Sequence, residues 1–468
     1  MALQPTPTFA LQPSAERIPL STNYIADFDF MNQYLPDLYE EEFERFGNRS
    51  IASFLRLVSA ELPTTSDLIK WSEQGRLHTK YIDCSSDGAA GDDVATITVG
   101  DTLIPGDGGI GIRKNQTVMI VANDGSGYNK AVVTDVDVAS GTFDVAYYSG
   151  DGQAFADTAE LTVFIYGSEF RKGTYGMEGS QEAQPDIFEN SPIIMKDHYA
   201  VNGSDMAQIG WIEVTTENGA SGYLWYLKSE HETRLRFEDY LETSMIEGVP
   251  AETGSGAAGV NLKGTEGAFH VVENRGNVFG NHPTTLEEFD TIVMRLDSQG
   301  AIEENVLFVN RAFSFDISDM LATMNSYGAG GTSWGLFNND KDMALNLGFN
   351  GFRRGYDFYQ TDWKYLNDPT MRGGLPEGCG RIDGMLVPAG TTSVYDEVLG
   401  KNLQRPFLHV RYRASEAENR KYKTWINGSA GGANTSSLDA MEVHFLSERV
   451  LCTLGANNFM LFSDECGV

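Results

Sequence analysis

The stretch from Tyr223 to Glu247 decides the fold, and it reads YLWYLKSEHETRLRFEDYLETSMIE. Its apolar side chains recur on one broad face while charged ones occupy the rest, which predicts an amphipathic helix with Leu235 central on the buried face. Ser221 is placed to cap its start, Gly248 to end it in a left-handed conformation, and Pro250 to prevent its resumption. At 1.5 Å per residue this helix spans roughly 35 Å. The remaining sequence is typical of short strands and glycine turns, so the long helix is predicted to be the scaffold.

The composition is that of a folded and strongly acidic chain. Lysines and arginines number 34 against 66 aspartates and glutamates, a net charge of -32 over 468 residues. Such a surface repels nucleic acid. The chain is too long for one ordinary core, so we expect two or three lobes. No apolar run is long enough to cross a bilayer, and prolines in the opening MALQPTPTFALQPSAERIPL disfavour a secretory signal, so this segment is predicted to be an extended arm.

The spacing of cysteines and histidines predicts neither a metal site nor a disulfide framework. The four cysteines form no C-x-x-C pair, which favours reduced thiols. His231 and Glu232 lie in the long helix, but Leu235 stands where the second histidine of an H-E-x-x-H zinc motif would be. The seven histidines show no close ligand pair. We therefore expect no bound metal and no cofactor.

Residues 85–166 are predicted to form an inserted β domain. Acidic glycine turns such as DGAAGDD, NDGSG and SGDG separate VATITV, TVMIVA, KAVVTDVDV, TFDVAYY and LTVFIY, which alternate like half-buried strands. Five such strands can close a small barrel. The stretch from Phe170 to Asp205 is polar and rich in small residues. It is predicted to be a hairpin-like excursion that lies against another subunit, because it lacks the apolar mass for a core.

The chain after the long helix is predicted to alternate helices and strands. AFHVVEN (268–274) is predicted to be a strand, TTLEEFDTIVMRLDS (284–298) a capped helix, ENVLFVN (304–310) a buried strand and residues 316–325 a further helix. RPFLHVRYRA and MEVHFLSERVLCTLGANNFMLF are predicted to be long antiparallel strands joined by the flexible loop NGSAGGANTSS.

That order of elements resembles one known family. An arm, a β insertion, a long excursion, a long helix, an α/β lobe and a terminal block containing HFLSERVLCTLGANNFMLF look like a tailed-bacteriophage major capsid protein of the HK97-like fold. FLRLVSAELPTTSDLIKWSEQGRLH resembles the segment leading into the family's extended loop, and NGSDMAQIGWIEV resembles that loop's returning end. The β insertion departs from the minimal fold of the family.

The resemblance implies an α+β fold in which an N-terminal arm, extended loop, spine helix, peripheral domain and axial domain accompany an inserted small β-barrel-like domain. The implied divisions are residues 1–84 for the arm and short helices, 85–166 for the inserted β domain, 167–215 for the extended loop, 216–283 for the spine helix and the first part of the peripheral domain, 284–400 for the axial α/β domain, and 401–468 for the terminal strands of the peripheral domain.

The resemblance also implies a non-enzymatic shell protein. Copies would assemble in the host cytoplasm into the hexamers and pentamers of an icosahedral head that encloses double-stranded DNA without sequence-specific binding and without a membrane. Portal, scaffold and decoration proteins are further implied partners. The candidate subunit-contact residues are Arg171, Lys172, Tyr175, Glu178, Lys228, Glu232, Arg236, Arg353 and Arg354.

Two other functions are alternatives to a capsid shell. The loop GTSWG (331–335) matches the nucleophile elbow G-x-S-x-G of serine hydrolases, with Ser333 as nucleophile and Asp383 and His409 following in the hydrolase order. An elbow needs a strand before the serine and a helix after it, whereas SYGAG precedes and FNND follows, so a glycine loop is favoured. The other alternative is a tail or surface-layer protein, which would form stacked rings or tubes instead of closed shells.

Two further patterns receive structural interpretations. Gly106, Gly108 and Gly111 spell G-x-G-x-x-G, but the following IRKNQTVMIVA is a predicted strand where a phosphate-binding helix should begin. The aromatic residues between Tyr356 and Tyr365 could stack on bases, yet the acidic charge of the chain favours core or subunit packing for them.

Overall fold

The computed structural model of the protein describes most of the chain from residue 54 onward. The described residues are 54–55, 60–73, 75, 80–100, 109–155, 160–179, 186–207, 214–215, 221–222, 225–300, 302–325, 351–375, 380–389, 391–396, 401–432 and 434–463. The chain divides into two compact units, one formed by Trp71–Phe188 and the other by Met1–Lys70 together with Glu189–Val468.

Strands dominate both units. The strands are β1 (Ala60–Thr64), β2 (Ile69–Glu73), β3 (Lys80–Ser86), β4 (Val94–Val99), β5 (Gln116–Ala122), β6 (Tyr128–Asp137), β7 (Thr142–Tyr147), β8 (Leu161–Ser168), β9 (Asp186–Asn190), β10 (Ile193–Asn202), β11 (Val214–Thr215), β12 (Ser221–Gly222), β13 (Asn277–Gly280), β14 (Glu304–Val309), β15 (Gly351–Arg354), β16 (Tyr356–Asp362), β17 (Ile382–Pro388), β18 (Thr391–Asp396), β19 (Lys401–Pro406), β20 (Leu408–Arg413), β21 (Lys423–Gly428), β22 (Ala440–Thr453) and β23 (Met460–Ser463). The helices are α1 (Gly203–Met206), α2 (Trp225–Glu247), α3 (Gly256–Gly259), α4 (Ala268–Arg275), α5 (Leu286–Gln299), α6 (Arg311–Asn325) and α7 (Lys364–Asn367).

The smaller unit contains a closed barrel. Its strands pair all the way round in the order β3-β4-β7-β6-β5-β8, and every neighbouring pair is antiparallel. Alternate side chains fill the interior, where Val118, Ile120, Val133 and Phe143 are fully buried. Closure leaves no open strand edge on the barrel, and the interior gives this unit a hydrophobic core of its own.

The barrel lies where the sequence predicts a β insertion, and it has one more strand. All five predicted strands are present as β4 to β8, and the sixth, β3, begins at Lys80, before residue 85. Strand β3 reads KYIDCSS and buries only Tyr81 and Cys84 among its apolar side chains. With only these two buried apolar side chains, the segment has a weak strand pattern of its own, and its neighbours β4 and β8 provide the hydrogen bonds.

The larger unit contains a five-stranded sheet. Strands β1, β20, β22 and β10 lie side by side in that order, and β21 also pairs with β22. The β10–β22 pair is antiparallel from Ile193 opposite Arg449 to Asn202 opposite Ala440. Helix α2 packs on this sheet in a cluster that joins Phe237 and Leu241 to Val443 and Phe445.

Helix α2 is present as predicted, but its buried face is not centred on Leu235. Thr233, Phe237, Leu241 and Met245 are buried and recur at every fourth residue. Leu235 is only half-buried because it lies off this stripe. The Phe237 ring lies 5.9 Å from the ring of Phe445, so an aromatic contact defines the centre of the interface.

The two ends of helix α2 differ from the predicted caps. Ser221 lies in strand β12, so it does not cap a helix described from Trp225 onward. Gly248 follows the last helical residue, but its φ is not in the left-handed region. A Cβ atom there would lie 2.6 Å from the carbonyl oxygen of Thr265 and 2.7 Å from that of Ser244. Close approach of the backbone, rather than a left-handed φ, therefore requires glycine at this position.

The second sheet of the larger unit has six strands in the order β13-β23-β17-β14-β16-β15. Neighbours β13 and β23 are parallel, as are β14 and β16, and the other pairs are antiparallel. Phe289 and Ile292 of α5 and Phe313 of α6 pack in one cluster with this sheet. Helix α5 has the predicted cap, since Thr285 and Glu288 form a capping box.

The segment AFHVVEN is helix α4 and not the predicted strand. Ala268, Phe269, Val271 and Val272 are all buried in it. Four apolar residues within five positions fit either a buried strand or a buried helix, so the sequence pattern is ambiguous over this length. Packing of Phe269 and Val272 into the central core of the larger unit decides for the helix.

Two predicted strand placements are also wrong. Strand β10 was expected in the polar excursion, but it pairs with β22 and its Met195, Tyr199 and Val201 pack against apolar clusters. The stretch MEVHFLSERVLCTLGANNFMLF is predicted to supply strands of one terminal block, but it divides into β22 of the five-stranded sheet and β23, which lies in the six-stranded sheet between β13 and β17. The loop NGSAGGANTSS joins β21 to β22. Strand partners are set by long-range packing, which local sequence patterns do not report.

Phe54 anchors the described start of the chain to the larger unit. Its ring is fully buried and stacks on Trp363 at 4.6 Å, with Phe308 edge-on at 4.6 Å. Its backbone N–H donates a 2.8 Å hydrogen bond to Oε1 of Glu242 on helix α2. This residue therefore joins the N-terminal region, the long helix and the six-stranded sheet.

We expect Phe54→Ala to lower the free energy of unfolding by about 3–5 kcal/mol, because the cavity between Trp363 and Phe308 cannot close fully. Urea denaturation measured by tryptophan fluorescence checks this. Phe315→Ala is the matched control: its ring is 60% exposed, and we expect a change below about 0.5 kcal/mol. Equal losses in the two variants would contradict the anchoring role of Phe54.

Candidate functional site

The most exposed candidate contact residues lie between Arg171 and Glu178, a segment after strand β8 that is here called the excursion tip. Arg171, Lys172, Tyr175 and Glu178 are all exposed, and Tyr175 is 96% exposed. The segment is held by a turn in which the N–H and hydroxyl of Thr174 both donate to the carbonyl oxygen of Arg171. The ring of Tyr175 follows this short hydrogen-bonded turn and is almost fully exposed, so it is available to contact a surface outside its own chain.

The candidate residues of helix α2 lie along its polar side. Lys228 and Glu232 form an i,i+4 pair with 3.9 Å between Nζ and Oε1. The guanidinium of Arg236 lies 3.7 Å from Asp197 of strand β10 and donates to the hydroxyl of Thr233 at 3.3 Å. The Arg236 side chain is 40% exposed, so it is shared between an internal contact and the surface. Each of these exposed pairs contributes at most about 1 kcal/mol to stability.

Strand β15 carries the last two candidates, and their environments differ. Arg353 is 71% exposed and lies 3.3 Å from Asp357 across the β15–β16 turn. Arg354 makes a two-point contact with Asp290 of helix α5, through its Nε and a second nitrogen. This pairing raises the pKa of Arg354, chiefly through the hydrogen bond to Asp290. Arg354 therefore holds α5 to the sheet, while Arg353 is the one with a side chain open to a partner.

The candidate residues belong to three different elements. The first group lies in the smaller unit, the second on helix α2 and the third on the edge strand of the six-stranded sheet. Their role as subunit contacts stays a prediction.

The structure gives no support to the hydrolase arrangement. Asp383 lies in β17 of the six-stranded sheet and His409 in β20 of the five-stranded sheet. The carboxylate of Asp383 is hydrogen-bonded to His282, Asn310 and Arg381. Ser333 and its GTSWG loop lie outside the described residues. Asp383 therefore pairs with His282, whereas the hydrolase order requires it to pair with His409.

His282, Asp316 and Asp383 form a cluster of titratable side chains, here called the clamp. Nδ1 of His282 lies 2.7 Å from Asp383, and Nε2 lies 2.7 Å from Asp316. Both ring nitrogens can donate only when the imidazole is protonated, so the geometry describes an imidazolium between two carboxylates. The clamp joins the loop after β13 to strand β17 and helix α6.

The contacts of the clamp shift the pKa values of His282 and Asp383 in opposite directions. Burial alone would lower the pKa of His282, but hydrogen bonds to Asp383 and Asp316 outweigh it and raise that pKa. Burial likewise opposes ionisation of Asp383, yet the bonds from His282 and the charge of Arg381 bring its pKa below the usual value.

Sequence reasoning missed this clamp. His282 lies in the segment NHPTT before helix α5, and its partners are 34 and 101 positions further on. No spacing rule connects such residues. The pair His198 and His444 was missed for the same reason: strand register places them opposite each other, with rings 5.9 Å apart.

Other classes of site are absent from the described residues. They contain no group of three or more His, Cys, Asp or Glu that could hold a metal ion. None of the helices in the described ranges is long and apolar enough to span a membrane. Cys84 and Cys452 are buried and are not in a disulfide, while the other two cysteines lie outside the described residues. Most of the aromatic run is core: Phe358, Trp363 and Tyr365 are buried, and Tyr359 is half exposed.

Comparison with known proteins finds similar structures but no similar sequences. No protein-family model and no curated protein matches the chain. A structure from Gordonia phage Cozz is similar at 10% identity and a TM-score of 0.39, over 97% of this chain and 97% of that one. One from Microbacterium phage Oxtober96 has 9% identity and a TM-score of 0.38, over 94% and 99%. The asymmetric unit of the bacteriophage PhiM1 mature capsid has 10% identity and a TM-score of 0.31, over 63% and 77%.

Two of these structures are named for phages and the third for a phage capsid, and each is a loose likeness in the path of the chain. At TM-scores below 0.5 this likeness assigns no role to the chain.

The clamp makes stability depend on pH. Because the folded pKa of His282 is raised, its contribution is complete below the unfolded pKa of about 6.5 and is lost as pH rises through the folded value. The folded pKa of Asp383 is lowered, so its contribution is complete above about pH 3.9 and is lost as pH falls through the folded value. The clamp therefore stabilises most between about pH 4 and 6.5.

We expect His282→Gln to lower the free energy of unfolding by about 1.5–3 kcal/mol near pH 5.5, because charge-assisted hydrogen bonds are lost. Near pH 9 the difference from the wild type should be clearly smaller. Urea denaturation at the two pH values checks this. His231→Gln, at an exposed position of helix α2, is the control and should show no such dependence. A His282→Gln effect that is constant with pH would contradict the imidazolium assignment.

Proposed function

We propose that this chain is the structural subunit of a closed protein shell, of the major capsid class of tailed phages. Its work is assembly and not catalysis. Hexamers and pentamers of the chain would form an icosahedral head around double-stranded DNA. The order of elements in the sequence and the scattered contact surfaces of the structure support this proposal.

The observation that carries the proposal is the distribution of exposed apolar side chains. Large exposed apolar residues occur on the excursion tip, on the segment after helix α3, on helices α5 and α6, and on the barrel. Among these, relative exposure is 96% for Tyr175, 67% for Val260, 63% for Leu262, 63% for Met294, 60% for Phe315 and 60% for Tyr128. A single exposed side chain is ordinary, but apolar groups on several separate surfaces are expected of a subunit with several neighbours.

A shell needs many contacts and no single strong one. Each copy in a closed assembly meets several others, so modest contacts add up through multivalency. The candidate residues fit this requirement, because the charged side chains of Arg171 and Arg353 are exposed and that of Arg236 is 40% exposed. Charged rims favour the correct register of a contact more than they add to its affinity.

The charge of the chain suits enclosure of DNA without binding to it. A net charge of -32 per copy opposes adhesion of the phosphate backbone to the shell. Portal, scaffold and decoration proteins would be the other partners, and the virion would be the location of the assembled chain. These assignments belong to the proposal.

Tyr175 gives the most direct test of a contact role. We expect Tyr175→Ser to change the free energy of subunit unfolding by less than about 0.5 kcal/mol, because the ring makes almost no contact in its own chain. The subunit concentration needed for assembly should nevertheless rise about tenfold, as one contact of about 1.4 kcal/mol is lost at every copy. Sedimentation velocity separates shells from free subunits and measures both fractions.

Tyr175→Phe is the matched control, since it keeps the ring and should assemble like the wild type. If the Ser and Phe variants assembled equally well, Tyr175 would not be a contact residue. A wild-type chain that stays monomeric at all protein and salt concentrations would overturn the shell proposal itself. Ester hydrolysis that disappears in Ser333→Ala would favour the hydrolase instead.

A further inference from the structure

The outer face of strands β6 and β7 carries three rows of side chains with different chemistry. In the first row Lys130 lies beside Tyr148, whose N–H donates to the carbonyl oxygen of Lys130 at 3.0 Å. In the second row Val132 lies opposite Ala146, and in the third Asp135 lies opposite Asp144. The side chains of Ala131, Val133 and Val145 between these rows are fully buried, so the rows themselves point away from the core.

The first row lies within an exposed aromatic surface. Tyr128, Tyr148 and Tyr166 are 60%, 49% and 48% exposed, and Nζ of Lys130 lies 5.5 Å from the centre of the Tyr166 ring. The hydroxyl of Tyr148 donates to Glu169 at 2.5 Å, which fixes the ring. Ordered tyrosines around a cation are typical of protein contact surfaces, because they bury a large area at little entropic cost.

The third row is unfavourable within one chain. Asp135 and Asp144 are exposed and directly opposite on neighbouring strands, and like charges in that position destabilise a sheet. Lys114 approaches Asp135 at 3.7 Å, but both side chains are more than half exposed and the pair is weak. A cation supplied from outside the chain would relieve this repulsion.

The three rows of one copy are complementary to the same three rows of a second copy when these run in the opposite order. A half-turn about an axis through the Val132–Ala146 row places the lysine–tyrosine row of one copy over the aspartate row of another. The small apolar side chains of the middle row then meet each other and allow close approach. Such a surface makes the same contact twice, as a two-fold contact requires.

We propose that the barrels of two neighbouring copies pack face to face through β6 and β7, with Lys130 of each copy against Asp135 and Asp144 of the other. The occupant of this face is therefore a second copy of the chain. This contact deepens the proposed function and rests on it, because a shell is what brings two barrels side by side. The barrel would then tie neighbouring subunits together in addition to the contacts of the larger unit.

A cysteine at the axis tests the geometry. In a two-fold contact, residue 146 of one copy lies near residue 146 of the other, so Ala146→Cys in the full chain should form a disulfide-linked dimer under mild oxidation. Thr98→Cys, exposed on strand β4, is the matched control and should remain monomeric on a non-reducing gel. The wild-type chain reports any background from its own cysteines.

A charge exchange tests the chemistry on the Ala146→Cys background. Lys130→Asp alone, and Asp135→Lys together with Asp144→Lys, should each reduce the cross-linked fraction about tenfold, because each places like charges in contact. The double exchange, with all three substitutions in one chain, should restore it, since the lysine row and the aspartate row have then changed places. Restoration separates a charge contact from a folding defect, because a misfolded barrel would not recover.

The outcomes for the two proposals are distinct. Absence of the Ala146→Cys dimer in particles that assemble normally would overturn the barrel contact and leave the shell. Equal cross-linking of Thr98→Cys, or no recovery in the double exchange, would also overturn the barrel contact. Chains that form no particles, whatever their cross-linking, would overturn the proposed function.

Discussion

The burial of strand β22 is the constraint on which the larger unit depends. This strand, Ala440–Thr453, pairs with β10 along one side and with β21 and β20 along the other. Helix α2 covers it through Phe237, and the chain then passes through a buried turn at Ala456 directly into β23 of the six-stranded sheet. One continuous and largely buried segment therefore enters both sheets. Neither sheet can shift without the other, and the long helix takes its position from the first.

Local sequence patterns predicted the elements whose character does not depend on distant partners. The five strands β4 to β8 alternate with period two between glycine turns, and all are present. Helix α5 has its capping box and helix α2 its length. Each of these carries a complete signal within about twenty residues. The sequence prediction centred the buried face of α2 on Leu235, because it considered the leucines and overlooked the buried stripe that contains Phe237.

The remaining features depend on contacts that are remote in sequence. Helix α4 has an apolar run that fits either period, and only the core around Phe269 decides it. Strands β10 and β23 take partners that no local pattern specifies. The clamp of His282 unites residues from three elements, so no motif search could find it. Of the candidate contact residues, the sequence identified exposed positions correctly at the excursion tip, but it could not show that Arg354 is held by Asp290.

The two units are held together in physically different ways. The larger unit ties two sheets and a long helix into one body, with the His282 clamp and the Phe54 anchor as its cross-links. The smaller unit is a closed barrel, and a closed barrel can be inserted into a chain without leaving strand edges that would pair at random. Its outer face is then free to carry a specific contact, such as the rows of Lys130, Val132 and Asp135. Under the proposed function, acidic charge over the whole chain would keep free copies apart, and assembly would depend on such matched surfaces.

The most direct measurement of the central claim is electron cryomicroscopy of the purified wild-type protein under assembly conditions. The account predicts closed icosahedral particles built of hexamers and pentamers, with Tyr175 of each copy seated against a neighbouring copy. Open tubes or stacked rings would contradict the capsid assignment in favour of a tail or surface-layer protein, and dispersed monomers would contradict assembly altogether.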